Sequence, residues 1–285
     1  MSIAACVVLY NPDDTMLDNI LSYSSQVDRL FIIDNTPGIS SKYQNYAMEN
    51  EKVNYVSLGE NKGIAFALNR GCELAADEGY NWMLTMDQDS RFIDDSFFTL
   101  ARQYIGDMKN AMVAIYAASY TSIQGRWSKR YDEHFDELHF AVTSGNLVDL
   151  RKWKEIGGFD EKLFIDEVDH DFCLKLRLRK YLVVTSKQFF MAHTVGMKDD
   201  LNLSAATRSR PQPLRFYYIT RNGLLMARRY FFADFPFAFN RVFYLGKALL
   251  RILVVYPEKR AYTRFFFRGV MDFFRSRYGK IPTAP

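Results

Sequence analysis

Two aspartates separated by one residue close the run LTMDQDS at positions 84 to 90. Apolar residues from Trp82 precede them, so Asp87, Gln88 and Asp89 stand where a strand ends. Carboxylates so placed can both turn toward one divalent cation, directly or through water. Hard oxygen ligands select Mg2+ or Mn2+. The same letters also suit a surface turn, because Asp and Ser favour turns on their own account. A second acidic group, FIDEVDHDFCLKLRLRKY, begins at Phe164. Leu163, Val168, Phe172, Leu176 and Leu178 take helix-like apolar positions, and Asp166 and Asp169, three apart, would share one face of the first turn. Glu167 and Asp171 beside them raise a carboxyl pKa while the positive helix end lowers it, so the net sign stays open. A carboxylate held this way can serve as a general base; acids also favour a first helical turn with no catalytic duty. His193, in FFMAHTVG, follows an apolar strand, a usual place for a hydrogen-bonded structural imidazole. His134 and His139 lack HExxH spacing and are assigned no metal.

The elements that must position these groups alternate short apolar runs with longer amphipathic stretches: IAACVVLY, then 15 to 27, RLFIIDN, VNYVSLG, GIAFALNRGCELAADEG and WMLTMDQD. This order of strand, helix, strand, strand, helix, strand predicts a mostly parallel sheet covered on both faces. Such sheets bind ligands beyond the carboxyl ends of their strands. Tyr10 and Asn11, Asp34 and Asn35, and Asp87 and Asp89 fall at three of those ends and should meet on one edge. GENKGIAFALNRG (59 to 71) reads as a loop entering a helix, with Asn61 near its start and Gly63 permitting close backbone approach. A helix start of this kind faces a phosphate or is simply capped. No GxGxxG follows the first strand and no GxxxxGK[ST] occurs, which disfavours a dinucleotide-binding Rossmann domain and a P-loop. Further on, the pattern predicts a helix from 97 to 109, a strand AMVAIYAASY, a charged loop over 124 to 138, the turn TSGN before LVDL, and a strand LVVTS.

A chain of 285 residues, 48% hydrophobic, suffices for one large domain or one domain with an appendage. Cys6, Cys72 and Cys173 form no CxxC pair and no even disulfide set, so reduced thiols packed in the core of a cytoplasmic protein are expected. The N-terminus lacks a basic n-region and its apolar run stops at Asn11-Pro12, which reads as a first strand and not as a signal peptide. The most apolar stretch, VFYLGKALLRILVVY (242 to 256), carries Lys247 and Arg251, which argues against a spanning helix. Charge is uneven: residues 208 to 285 hold 16 Lys and Arg against three acids, whereas the first 207 hold 21 against 30. A basic tail this rich in Phe and Tyr points to nucleic acid or an anionic membrane surface. In RFFFRGVMDFFRSRYG, Phe266, Val270, Phe273 and Phe274 make a stripe bordered by Arg264, Arg268, Arg275 and Arg277. Such a helix lies flat on lipid, or buries its stripe in the core or a dimer interface.

Taken in order, Asp34-Asn35, Asn61-Lys62-Gly63 opening a helix with Asn69, Asp87-Gln88-Asp89, SGN at 144 to 146, GGFDEKLFIDEVDHDFCLKLR, AHTVG and YYITRNGLL form one pattern. It resembles the family 2 inverting glycosyltransferases of GT-A fold, most of all their bacterial rhamnosyltransferase branch, over residues 1 to about 225. The resemblance implies a Rossmann-like α/β catalytic domain over 1–210, with a mostly parallel mixed sheet flanked by helices, and a C-terminal helical segment over 211–285. It implies that Asp34 binds the pyrimidine of a nucleotide sugar with Tyr10 nearby, and that Asn35, Asn61, Gly63, Asn69 and Gln88 line the donor site. Asp87 and Asp89 would hold Mg2+ or Mn2+ on the diphosphate, His193 would complete the cation or phosphate site, and Arg221 would close over the diphosphate. Ser144, Gly145 and Asn146 would shape the acceptor pocket. Alignment on CLKLR makes Asp169 the base; Val168 stands where the family carries an acid, which keeps Asp166 as a rival on the acceptor side.

The implied reaction moves L-rhamnose from dTDP-rhamnose to a hydroxyl of a lipid-linked saccharide in bacterial surface polysaccharide synthesis. A UDP- or GDP-sugar donor is the alternative within the family, and a cation-dependent phosphohydrolase or nucleotidyltransferase the alternative outside it. The implied location is cytoplasmic and peripheral on the inner face of the cell membrane, with no nucleic-acid partner; self-association is left open.

Overall fold

The computed structural model describes residues 2–105, 111–120, 128–130, 132–193 and 211–282. The chain divides into two compact units, Met1–Asp160 with Phe172–Gly196, and Glu161–Asp171 with Met197–Pro285.

The first unit is built on one sheet. Its elements are β1 (Ile3–Leu9), α1 (Met16–Ser24), β2 (Arg29–Asp34), α2 (Ser41–Met48), β3 (Val53–Ser57), α3 (Ile64–Asp77), β4 (Trp82–Asp87), β5 (Ser90–Phe92) and α4 (Ser96–Tyr104). They continue with β6 (Val113–Tyr120), β7 (Ser128–Arg130), β8 (Phe135–Leu138), β9 (Asn146–Asp149), α5 (Leu150–Glu155), α6 (Val168–Leu178) and β10 (Leu182–His193). The first turn of α6, through Asp171, counts with the second unit. The strand order is β3-β2-β1-β4-β9-β6-β10-β8-β7, with β5 paired to β10. β1 to β4 run parallel, β9 runs against both its neighbours, and β6 and β10 are again parallel. This is the mostly parallel mixed sheet that the alternating runs predict.

β1 is buried along its whole length, as a central parallel strand covered on both faces must be. Ile3, Ala5, Val7 and Leu9 join one core with Leu30, Ile32, Leu84 and Met86. Cys6, on the opposite face, lies so close to α3 that a Cβ on Gly71 would stand 2.4 Å from its Sγ. All three cysteines are buried as thiols, and burial pushes the Cys6 thiol up to about 12. Three expectations are revised. The charged loop expected over 124 to 138 holds the antiparallel strands β7 and β8. A short helix, α2, joins β2 to β3, because parallel neighbours need a crossover; its sequence SKYQNYAM buries only Tyr43 and gives little periodic signal. The helix expected to run from 97 to 109 is described only to Tyr104, and 106–110 lie outside the described residues.

The second unit contains α7 (Pro213–Arg229), α8 (Phe235–Val254), α9 (Lys259–Phe274) and the segment 161–171. α7 opens on Pro213, whose fixed φ and missing N–H suit a first helical turn. Asp234 caps α8 by accepting from the Phe237 amide at 3.1 Å. α9 crosses α7 at Gly269, where a Cβ would meet the Tyr217 carbonyl at 2.6 Å. Phe216, Leu245, Ile252, Tyr256, Tyr262 and Phe266 make the core. The aromatic stripe of α9 turns inward: Phe266 and Phe273 are buried, and Phe274 is left exposed. Among the described residues no helix is long and apolar enough to cross a membrane.

Candidate active site

The carboxyl ends of β1, β2 and β4 stop at one edge of the first unit's sheet, since the register sets Leu9 against Asp34 and Val8 against Asp87. Asp34 is fully buried. Its Oδ1 accepts from the Thr36 amide at 3.0 Å, and its Oδ2 accepts from the Ser40 amide at 3.1 Å and the Tyr55 hydroxyl at 2.5 Å. Burial alone would push this carboxyl up; the hydrogen bonds from Ser40, Tyr55 and Thr36 outweigh it and hold the group below its ordinary value. Asp34 therefore stays an anionic acceptor. Beside it, Asn35 donates to Asn61 Oδ1 at 3.1 Å and accepts from the Lys62 amide at 2.7 Å. Asn61 Oδ1 also accepts from the Gly63 amide at 3.0 Å, so one amide pair ties the end of β2 to the start of α3. Gly63 has φ 92°, a left-handed value that favours glycine.

The turn Thr143–Asn146 is stitched to the same edge. The Asp87 amide donates to Ser144 Oγ at 3.0 Å, Thr85 Oγ1 donates to the Thr143 carbonyl at 2.5 Å, and the Gly145 amide donates to the Thr85 carbonyl at 2.8 Å. Gly145 has φ +80°, and a Cβ on it would lie 2.1 Å from Met191 Sδ. Asn146 is buried and donates to the Val142 carbonyl at 2.6 Å, while its Oδ1 has no hydrogen-bond partner among the described residues. Gln88 spends its amide on the backbone of Tyr10, accepting from the N–H at 2.8 Å and donating to the carbonyl at 3.2 Å. This latch joins the ends of β1 and β4 and leaves Asp87 and Asp89 partly buried on either side of it. The Tyr10 side chain is half exposed. His193 ends β10 with its backbone opposite Ser90, the residue after Asp89. Its side chain, and residues 194–196 of AHTVG, lie outside the described residues.

The second acidic group is organised within the second unit. Phe164, Asp166 and Glu167 have φ of 65°, 63° and 65°, a left-handed run without a glycine. Buried Asn222 holds it by donating to the carbonyls of Leu163 (2.8 Å), Ile165 (2.7 Å) and Asp166 (3.2 Å). Arg215 takes Asp166 at 2.8 Å, Arg241 takes Glu167 at 3.0 Å with His170 on the same carboxylate, and Arg229 and Tyr230 take Asp171. Burial raises the Asp166 carboxyl against the pull of Arg215, whereas at Glu167 burial is outweighed by His170 and Arg241 and the carboxyl is lowered. α6 begins only at Val168, so Asp166 does not share a helical face with Asp169 as the spacing suggested; it sits in the turn before the helix. Asp169 lies in the first turn, partly buried.

The family model of glycosyl transferase family 2 matches residues 5–183, well over half the chain. The chain belongs to this family. This glycosyltransferase is 28% identical over 243 residues to the dTDP-rhamnosyl transferase RfbF of Shigella flexneri, across 80% of each chain. Its fold is similar to that of TarS 1–349 of S. aureus, with a TM-score of 0.63 at 15% identity, covering 97% of this chain and 81% of that one. A structure of GalNAc-T7 with UDP, GalNAc and Mn2+ is similar at a TM-score of 0.54 and 11% identity, over 65% of this chain and 42% of that one.

The donor set in this glycosyltransferase, two carboxylates at one strand end, fits a hard divalent cation that takes its other ligands from phosphate and water. Among the described residues no group of three or more His, Cys, Asp and Glu forms a cage for an ion. Three further residues that the family resemblance assigned to the donor have polar atoms hydrogen-bonded within the protein. Arg221 is fully buried and donates to the carbonyls of Lys162, Leu163 and Gly279. Asn69 bonds both backbone groups of Phe159 and the Trp153 indole. Gln88 is the latch described above. The sequence reading missed Ser40 and Tyr55 around Asp34, and the arginines on the acidic turn. For the arginines the signal was present, as a basic tail following an acidic body.

Proposed function

We propose that this glycosyltransferase moves L-rhamnose from dTDP-rhamnose, with inversion, to a hydroxyl of a lipid-linked saccharide in bacterial surface polysaccharide synthesis, working at the inner face of the membrane. The observation that carries the donor choice is the similarity to a dTDP-rhamnosyl transferase across 80% of both chains. The sheet edge supports it chemically. Asp34, buried and kept ionised by its hydrogen bonds, orders the turn from Thr36 to Ser40 at this edge, where the pyrimidine is proposed to lie. The first turn of α3, which starts at Ile64 behind Gly63 and has no side-chain cap, presents its amide groups where a helix end favours a diphosphate. Asp87 and Asp89, with His193 beside them in register, would hold Mg2+ or Mn2+. The cation, when bound, neutralises charge gathering on the departing nucleoside diphosphate.

Asp169 is the proposed base. It takes the proton of the acceptor hydroxyl as that oxygen bonds to the anomeric carbon. The electron pair of the old carbon–oxygen bond leaves with dTDP, and attack opposite that bond inverts the centre. Asp166 is gripped by Arg215 in the turn before α6, whereas Asp169 holds the first-turn position that alignment on CLKLR gives the base, which favours Asp169. The Ser144–Asn146 turn, fixed to Asp87, is the proposed acceptor wall. The test is release of nucleoside diphosphate from a panel of donors. dTDP-rhamnose should turn over fastest, and Asp169→Asn should lower kcat by about 10²- to 10⁴-fold with little change in donor KM. Faster turnover of a UDP- or GDP-sugar removes the donor assignment; a near-normal Asp169→Asn rate removes the base.

A further inference from the structure

We propose that the outward face of α8, with the turn before it, is a docking surface for an anionic lipid bilayer. This gives the membrane placement proposed above a location in the chain, and rests on that reading. α8 is apolar on two sides. Phe237, Ala238, Leu245, Ala248 and Ile252 are buried in the unit's core. Phe235, Phe239, Val242, Phe243, Leu250 and Val254 recur at helical spacing on another side and are exposed, Val254 by 67%. Phe232 in the preceding turn is 98% exposed. Phe235, Phe239 and Phe243 stack in sequence, with ring centroids 6.2 and 6.3 Å apart. A helix apolar all round is ordinarily buried, and a contiguous exposed aromatic patch of this kind marks an interaction site. Where α7 meets α8 the patch continues into an apolar groove of about 590 Å³ that includes Leu224, Phe231 and Arg228.

Charge selects the occupant. Lys247 lies over the Phe243 ring, its Nζ 4.4 Å from the centroid, and Arg251 follows one turn later. The segment 208 to 285 holds 16 Lys and Arg against Asp234, Glu258 and Asp272. Asp272 is buried, while Asp234, partly exposed, caps α8 and Glu258 is exposed. On the other side of the balance Arg221 is buried and Arg215, Arg229 and Arg241 pair with Asp166, Asp171 and Glu167, which still leaves the segment with a large excess of cations. Two copies meeting through this face about a twofold axis would set cation against cation. Lipid phosphates complement that charge, while the rings enter the headgroup and acyl boundary and the basic stems stretch outward to it.

Flotation of the full chain with phosphatidylglycerol/phosphatidylcholine vesicles, against phosphatidylcholine vesicles alone, tests the proposal. The chain should float with the anionic vesicles only. Phe235→Ser/Phe239→Ser/Phe243→Ser should lose about tenfold or more of that binding, with melting temperature and turnover of a soluble acceptor unchanged. Phe239→Trp keeps the test alive should the triple variant not fold: its emission should shift to the blue with the anionic vesicles and be quenched by brominated acyl chains. A full chain that stays in buffer overturns the membrane placement together with this face. Binding that the triple variant retains, or emission of the Phe239→Trp variant indifferent to vesicles, overturns the face alone. A concentration-dependent dimer that the triple variant dissolves, without vesicle binding, gives the face to a second copy.

Discussion

Asn222→Ala puts the acidic turn to the test. The Asn222 side-chain amide carries two protons and faces three carbonyls, at 2.7, 2.8 and 3.2 Å, so it makes two good bonds and shares the third. Each is worth about 0.5–1.5 kcal/mol net, and the buried carbonyls left behind find no water, so the loss is about 2–3 kcal/mol. At about 2–4 °C per kcal/mol for a chain of this size, the melting temperature falls by roughly 5–10 °C. Asn222→Asp should also fall, because a carboxylate keeps the acceptor that Arg221 Nε uses at 3.0 Å but cannot donate to the three carbonyls. The turn 164–167, with its three left-handed residues, then relaxes, and Asp169, three residues beyond Asp166, shifts with it. A displacement of about 1 Å costs a reaction about 10²-fold, so kcat should drop by that factor while donor KM holds. Calorimetry and nucleoside diphosphate release, both below the variant's melting point, give the two readings. A lowered melting temperature with wild-type kcat would show that the clamp stabilises the turn without setting the base. An Asn222→Ala variant as stable as wild type would refute the donor argument itself.

Other outcomes follow from the first unit. Asp34→Asn faces the donors of Ser40 and Tyr55 with an amide, and should cost about 1–3 kcal/mol at neutral pH. Because the native Asp34 carboxyl is lowered, its stabilisation is present above the unfolded-state pKa and is lost as pH falls through the native one. Urea melts should therefore show the gap between wild type and Asp34→Asn closing on acidification; a gap independent of pH contradicts this. Gly145→Ala combines a left-handed residue, about 1–2 kcal/mol, with a Cβ pressed on Met191, about 1–3 kcal/mol. Adding Met191→Ala should ease the second cost and leave the first, as thermal melts of the single and double variants will show. Iodoacetamide should label none of Cys6, Cys72 and Cys173 in the native protein and all three after unfolding; early labelling of Cys6 disproves its burial.

The strands from β1 to β4 announce themselves because buried parallel strands read as unbroken apolar runs, and a polar residue after such a run marks the edge where ligands bind. Asp34 and Asp87 are found that way. Their partners are not, since Tyr55 and Ser144 come from 21 and 57 positions away and carry no local mark. The placing of β9 between β4 and β6 is equally hidden, being a matter of pairing rather than of propensity. The i, i+3 reading of Asp166 and Asp169 fails for a related reason. Phe164, Asp166 and Glu167 have no intrinsic taste for positive φ; Asn222, 55 to 58 positions on, holds the carbonyls of Leu163, Ile165 and Asp166 around them. In the tail, aromatic periodicity is plain in both α8 and α9, and only packing decides that α9 spends its stripe inside while α8 keeps one outside.

The position of β9 also has a bearing on synthesis. It fills the gap between β4 and β6 although it follows both along the chain. As the polypeptide leaves the ribosome, β4 has β1 on one side and an open backbone ladder on the other until residues 146–149 emerge. Unpaired ladders of that kind invite mispairing with other chains. Changes in the connection between β6 and β9 should thus register first in the yield of soluble enzyme, and only afterwards in how fast each surviving molecule works.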